Sequence, residues 1–424
     1  MKYQVKILSL LMVFILLLLT VSCGGEKNEE TNQSTSQKVY NTSFKQATSA
    51  KPITTTATET TETETAVATL PTTVKRTGKR PVYKQDKPMR KITSAQLFSQ
   101  MGSGITLGDS FTATGLSEGA SIDNYETAFN NPKVSAELIN AYAKAGFSAV
   151  RIPVSFAEHI DEAGNVDKEW LNRIAEVADM VLDNDMYCII ASQSEQSWLS
   201  TANGTFVKTK NKFSNMWTSV ATKFKKYDDR LLFEGTSDVI KAVNDMSAPS
   251  DTDIENMNKL NQAFVDSIRT SGGYNAVRHL IISTYGSFVD SASLNGFQKP
   301  NDSAKNRLAV KVNFYIPSSF CLDESQKNTW GTAEEKQYLE SVFAMINTAF
   351  EKLSLPVIIG EFGAVDKGNL SARAAYASYV ISTAYNYYIV CFWNDNGNNM
   401  KVFDRENYQN VQEKIVKSII GSAG

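Results

Sequence analysis

The chain has 424 residues, with 43 Lys and Arg against 45 Asp and Glu and a net charge of −2 at pH 7. That balance leaves no electrostatic footprint for nucleic acid or for an anionic membrane surface. The length suits one large domain or two smaller ones, and a hydrophobic share of 42% supports a full-sized core.

At the N-terminus, Lys2 and Lys6 precede an apolar run from Ile7 to Val21, followed by Ser22 and Cys23. A basic start, a short apolar stretch and a small residue before the cut describe an export signal over residues 1–22 rather than a membrane span. Leu19-Thr-Val-Ser-Cys23 resembles a bacterial lipobox, in which the Cys is lipidated and becomes the new N-terminus. The expectation is a protein held outside the cytoplasm by lipid on Cys23, anchored to the bacterial cell membrane at the cell surface. An ordinary cleaved signal with an incidental Cys is the plainer alternative. Three further cysteines, Cys188, Cys321 and Cys391, give no disulfide framework, and Cys188 and Cys391 fall in apolar runs as small core residues. Two histidines leave little material for a metal site, and no cofactor is implied.

Residues 23–91 are poor in aliphatics and rich in Thr, Ser, Glu and Lys, including Thr54-Thr-Thr-Ala-Thr-Glu-Thr-Thr-Glu-Thr-Glu-Thr65. Such a segment cannot bury enough apolar surface to offset its ordering entropy and reads as a disordered tether. A coil of about 65 residues spans on the order of 45 Å, enough to hold a domain away from a membrane.

From Ile92 to residue 424 the pattern is globular. Strands are expected at Gly102–Leu107, Ser148–Val154, Tyr187–Ala191, Leu231–Gly235, Leu280–Thr284, Leu308–Phe314, Pro356–Gly360 and Ile389–Trp393. Helices are expected at Asp167–Asn184, Phe213–Tyr227, Asp253–Thr270, Ala333–Phe350, Leu370–Tyr388 and Glu406–Ile420. Continuous apolar strands are buried on both faces, which means a parallel sheet. Eight strands over about 330 residues fit a closed (β/α)₈ barrel, and no Gly-rich phosphate loop follows the first strand.

In such barrels chemistry sits at the C-terminal strand ends. Those ends carry Asp109, Arg151, Gln193–Ser194, Ser237–Asp238, Thr284–Tyr285, Asn313–Tyr315, Glu361 and Trp393. Acidic groups on opposite sides of a mouth, with aromatics between, suit sugar chemistry, because a retaining glycosidase needs an acid and a nucleophile about 5–5.5 Å apart.

From about Gly102 to Arg405 the chain resembles glycoside hydrolase family 5, the cellulase and endoglucanase family. The resemblance lies in Tyr125-Glu-Thr-Ala128 with Asn131-Pro132, then Ala145-Gly-Phe-Ser-Ala-Val-Arg-Ile-Pro-Val154. It continues through Phe233-Glu-Gly235, Gly272-Gly273, Arg278-His-Leu280, Ile359-Gly-Glu-Phe-Gly363 and Phe392-Trp393. It implies a (β/α)₈ fold, hydrolysis of β-glycans with retention, and a β-glucan or related polysaccharide as partner of a monomer. By position, Glu361 matches the nucleophile, Arg151 the Arg that orients it, Tyr315 the Tyr that hydrogen-bonds it and Trp393 the aromatic floor under the sugar. Trp198, in the loop after the third strand, could stack a further ring.

The departures cluster at the same mouth. The general-acid Glu is Asp238, the Asn that contacts the sugar 2-hydroxyl is Ser237, a His-His pair is Gln193-Ser194, the His before the active-site Tyr is Asn313, and a Leu-Gly-Asn pattern reads Leu107-Gly108-Asp109. His159 and His279 do not replace the missing histidines and read as structural. An Asp carboxyl sits about one bond further back than a Glu carboxyl, and a misplacement of about 1 Å costs on the order of 10²-fold. Two main readings follow: a β-glucanase using Glu361 and Asp238 with weak or lost turnover, or a catalytically inactive surface lipoprotein that binds β-glycan or a protein partner. A different reaction on the same barrel is the third.

Overall fold

The computed structural model describes residues 88–245 and 247–422. The signal at 1–22, Cys23 and all but the last residues of the 23–91 tether lie outside them. Eight parallel strands close into a barrel: β1 (Gly104–Leu107), β2 (Ala149–Val154), β3 (Tyr187–Ser192), β4 (Leu231–Glu234), β5 (Leu280–Ser283), β6 (Leu308–Phe314), β7 (Val357–Phe362) and β8 (Val390–Asp395). Each strand pairs with the next, and β8 closes on β1 with Ile105 opposite Trp393. Every residue of the eight strands is buried, as a parallel sheet covered on both faces requires.

The helices are α1 (Ser94–Gln100), α2 (Ile122–Thr127), α3 (Ala136–Lys144), α4 (Lys168–Asp183), α5 (Phe206–Phe224), α6 (Asp251–Thr270), α7 (Ser291–Asn295), α8 (Ser318–Cys321), α9 (Ala333–Glu351), α10 (Leu370–Asn386) and α11 (Glu413–Gly421). Local chemistry sets their starts. Asp167 accepts from the backbone N–H groups of Glu169 and Trp170 to open α4, and Ser250 with Asp253 and Thr332 with Glu335 form capping boxes on α6 and α9.

Four features depart from the sequence expectation. The short helix α1 closes the bottom of the barrel, where Leu97, Phe98 and Met101 pack on Ala149, Ile189, Leu232, Ile281, Ala309, Ile358 and Phe392. Helix α3 lies between β1 and β2, capped by Ser135. Helix α5 begins at Phe206 rather than Phe213, since Phe206, Thr209 and Phe213 continue one buried stripe. The expected helix Glu406–Ile420 is cut short. Asp404 accepts from the backbone of Glu406 and Asn407, Tyr408 turns left-handed at φ 57°, and a two-strand ladder (β9, Phe403–Asp404; β10, Gln409–Asn410) precedes α11.

Both histidines are structural. His279 sits at the bottom between Ser94 Oγ (2.9 Å) and Arg307 Nη1 (2.6 Å), and burial with Arg307 lowers its pKa to about 3. His159 stacks on Trp170 at 3.9 Å, and burial lowers its pKa to about 4. Cys188, Cys321 and Cys391 are free and buried. Among the described residues no helix is long and apolar enough to cross a membrane.

The barrel interior sets up the site. Two residues along from the core positions Ala149, Leu232 and Ala309 come Arg151, Glu234 and Lys311, all wholly buried. Period-two alternation therefore stacks a charged layer directly on an apolar one. On β7 the ladder slips at Gly360: Ile359 pairs with Val312, but Glu361 pairs with Asn313. This bulge re-aims the next side chain and brings Glu361 to the charged layer. A side chain at Gly360 would crowd this layer, since a Cβ would lie 2.6 Å from Lys311 Cε and 3.3 Å from Arg151 Nε.

Candidate active site

Arg151 is the hub. Its Nε and Nη2 donate to the two carboxylate oxygens of Glu234, each at 2.7 Å. Its Nη1 donates to Glu361 Oε1 at 2.9 Å, and Nη2 also donates to Gln193 Oε1 at 3.1 Å. Burial alone would lower the Arg151 pKa, but Glu234 and Glu361 outweigh it and hold the guanidinium firmly charged. On its other oxygen Glu361 accepts from Tyr315 Oη at 3.0 Å, and that hydroxyl accepts from Asn394 Nδ2 at 2.9 Å. Burial pushes the Tyr315 phenol well above its ordinary pKa, so it stays a donor. Two direct donors, Arg151 from β2 and Tyr315 from the β6 end, with Asn394 of β8 behind Tyr315, fix the Glu361 carboxylate as a nucleophile would need to be fixed.

A second group faces it from β4. Asp238 Oδ1 accepts from Asn313 Nδ2 at 2.8 Å, and Asn313 is the register partner of Glu361. Asp238 takes the left-handed conformation at φ 63°, and its backbone N–H donates to Ser287 Oγ at 3.2 Å. Below it, Lys311 Nζ donates to Ser237 Oγ at 2.6 Å and to Ser287 Oγ at 3.0 Å. The same ammonium lies 3.8 Å from Glu234 Oε1 and 3.9 Å from Asp238 Oδ1. The cluster thus contains two cations and three carboxylates.

The structure therefore brings together Arg151, Gln193, Tyr315 and Glu361, with Ser237, Asp238 and Asn313 beside them. It encloses them closely: Glu361 keeps 2% and Asp238 1% of its surface exposed. Ser237 points at Lys311 and is wholly buried. Trp393 presents no open face. It packs edge-on against Phe362 at 5.3 Å, lies under the Arg373 guanidinium at 5.9 Å, and donates through Nε1 to the Met400 carbonyl at 3.1 Å. Trp198 is half-buried, with the Lys212 ammonium 5.4 Å from its ring. Cys23 lies outside the described residues. Among those residues no cluster of His, Cys, Asp and Glu could hold a metal ion.

Sequence reasoning missed Glu234, Lys311 and Glu195. Glu234 stood in the Phe233-Glu-Gly235 motif without a site role, and both it and Lys311 were marked by being charged residues inside fully buried strands, a placement that demands a partner. Glu195 joins two rim loops, accepting from the Phe156 N–H at 2.7 Å, Trp198 Nε1 at 2.6 Å and Ser192 Oγ at 3.2 Å. Burial nonetheless pushes its carboxyl up to about 8 against those donors.

The chain is similar to known proteins in both sequence and fold. The family model described as cellulase, glycosyl hydrolase family 5, matches residues 112–400. Endoglucanase A of Paenibacillus barcinonensis is 32% identical over 372 residues, covering 78% of this chain and 90% of that protein. Endoglucanase A of Clostridium longisporum is 32% identical over 325 residues, and the match spans 75% of this chain but 62% of that longer protein. Among solved structures, a broad-specificity endoglucanase of Ruminococcus champanellensis with bound cellotriose has a TM-score of 0.76 at 31% identity, covering 79% of this chain and 100% of that one. A Bacteroides ovatus xyloglucanase in complex with a heptasaccharide has a TM-score of 0.74 at 28% identity, covering 81% of this chain and 80% of that one. The chain belongs to glycosyl hydrolase family 5.

Proposed function

We propose that this protein acts on β-1,4-linked glucans by retaining O-glycosyl hydrolysis, with Glu361 as nucleophile and Asp238 at the acid/base position, and that proton donation is the deficient half of the reaction. The observation that carries this reading is the clamping of Glu361 between Arg151 Nη1 at 2.9 Å and Tyr315 Oη at 3.0 Å, with Asp238 tied to its register neighbour Asn313. In the first step a Glu361 oxygen bonds to the anomeric carbon as the glycosidic C–O bond breaks, and the departing oxygen takes the Asp238 proton. In the second, water attacks the glycosyl ester and returns its proton to Asp238, freeing Glu361. The cello-oligosaccharide and xyloglucan fragment held by the solved relatives support a β-glucan as substrate class. The signal, Cys23 and the tether read from the sequence would present the domain as a monomer on a lipid anchor at the cell surface.

Enclosure of both carboxylates favours one second reading, a catalytically silent member of the family that binds β-glycan or a protein partner through the rim. An aryl β-cellobioside with a very good leaving group separates the two, because it needs little help from an acid. Cleavage by the wild type and none by Glu361→Ala supports the hydrolase. No cleavage, with measurable cello-oligosaccharide binding, supports the silent glycan binder, and loss of both leaves the protein partner.

A further inference from the structure

Lys311 is a wholly buried ammonium that none of the proposed steps uses. Alternation from Ala309 points it into the barrel, and the missing side chain of Gly360 makes room for its stem. Its Nζ is shared among groups from two directions: Ser237 Oγ at 2.6 Å and Asp238 Oδ1 at 3.9 Å from the β4 end, and Ser287 Oγ at 3.0 Å from the loop after β5. Glu234 Oε1 stands 3.8 Å away. Arg151 from β2 and Glu361 from β7 complete the charges facing it.

The charge arithmetic gives Lys311 a task. Arg151 spends Nε and one Nη2 contact on Glu234 and Nη1 on Glu361, while the Lys311 ammonium lies 3.9 Å from Asp238 Oδ1. Burying an ammonium costs several kcal/mol in a protein interior. Burial accordingly lowers the Lys311 pKa, and Asp238 and Glu234 act against that fall. Two departures at the β4 end then share one cause. The wholly buried Ser237 hydroxyl accepts from the ammonium, while Asp238 beside it accepts from Asn313. A group that is to donate a proton must first carry one; burial of Asp238 favours that protonated form, while the Lys311 ammonium at 3.9 Å, and the Arg151 guanidinium beyond it, favour the ionised form.

We propose that Lys311 is a positioning residue that disables the acid/base position: it holds Ser237 and the β4 end down on the barrel interior and keeps Asp238 a carboxylate, so that proton donation is switched off. The proposal rests on the reading that Asp238 stands where the acid acts.

Two variants test it. Lys311→Met removes the ammonium and keeps the stem. Lys311→Met with Glu234→Gln removes one cation and one anion together, so the interior stays balanced if the single variant fails to fold. The first readout needs no turnover: the side-chain carboxyl ¹³C signal of Asp238 in aspartate-labelled protein, assigned by its absence in Asp238→Asn, is followed against pH. In whichever variants fold, its titration midpoint moves up by about 1–3 pH units relative to wild type. The second readout is kcat/KM across aryl β-cellobiosides of increasing leaving-group pKa. Wild type falls steeply with poorer leaving groups; the double variant falls less steeply, gains about 10²-fold or more on the poorest, and acquires an alkaline limb in its pH profile. An unmoved Asp238 midpoint overturns the proposal. A moved midpoint with no cleavage of any substrate by any form supports the role of Lys311 and defeats the hydrolase reading instead.

Discussion

Replacing Arg151 by Met should be among the most damaging single changes in this protein. The side chain is wholly buried and donates four hydrogen bonds at 2.7, 2.7, 2.9 and 3.1 Å, three of them to carboxylates. Methionine fills most of the volume but leaves Glu234 facing only the more distant Lys311, and Glu361 held by Tyr315 alone. Removing one partner of a buried ion pair costs about 3–5 kcal/mol, because the charge left behind is uncompensated. That is a large fraction of a typical total stability of roughly 5–15 kcal/mol. The assay is equilibrium urea unfolding of the isolated barrel domain, with the midpoint converted through a common slope. Adding Glu234→Gln to Arg151→Met should recover about 1–3 kcal/mol, since it neutralises the wholly buried carboxylate that loses two hydrogen bonds in the first change. A cost below about 1 kcal/mol, the level of a solvent-exposed pair, would refute the reasoning. So would a double variant no more stable than Arg151→Met.

Other consequences follow from the same geometry. Asp238→Glu with Ser237→Asn should raise hydrolysis of unactivated glucan by up to about 10²-fold, measured as reducing ends released, because it restores the reach of the carboxyl; no gain would mean that Lys311 or the closed rim dominates. Gly360→Ala should destabilise by about 1–3 kcal/mol, since its Cβ would lie 2.6 Å from Lys311 Cε and 2.9 Å from Cγ, and the cost should shrink in a Lys311→Ser background when both are measured by urea unfolding. Glu195 is raised to about 8 by burial, so between its unfolded pKa and about 8 the unfolded chain has lost a proton that the folded chain keeps. Its contribution is therefore complete at acid pH and is lost as pH rises through that window, at up to about 1.4 kcal/mol per pH unit. Glu195→Gln should flatten that part of the stability–pH curve, and an unchanged slope would show the carboxyl to be ionised throughout.

The barrel was legible because each strand is a short apolar run with a helix-period segment after most of them. Arg151 and Glu361 were legible because they sit in recognisable motifs, and Tyr315 because it directly follows β6, although Arg151 lies inside β2 rather than at its end. The charged layer was not. In Leu308–Phe314 both faces of the strand are buried, so alternation of polar and apolar residues does not say which side chain faces the barrel axis. Lys311 and Glu234 acquire meaning only once β4 and β6 are placed across from β2, and the sequence holds no sign that Gly360 slips the ladder. Helix α1 had a written start, the Thr93 and Gln96 capping box, but its seven residues are too few to show a period. Trp393 was legible as an aromatic at the right strand end, yet its enclosure depends on Met400 and Arg373, which no local pattern links to it.

The central claim is that Glu361 is a nucleophile, and covalent trapping tests it most directly. A 2-deoxy-2-fluoro-β-cellobioside with a very good leaving group bypasses the acid and slows release of the glycosyl ester, so the intermediate accumulates. Digestion and mass spectrometry should find one fluorocellobiosyl group on the peptide bearing Glu361, and none in Glu361→Gln. An unlabelled protein after prolonged exposure, or a label on Asp238 or another carboxylate, would contradict the account.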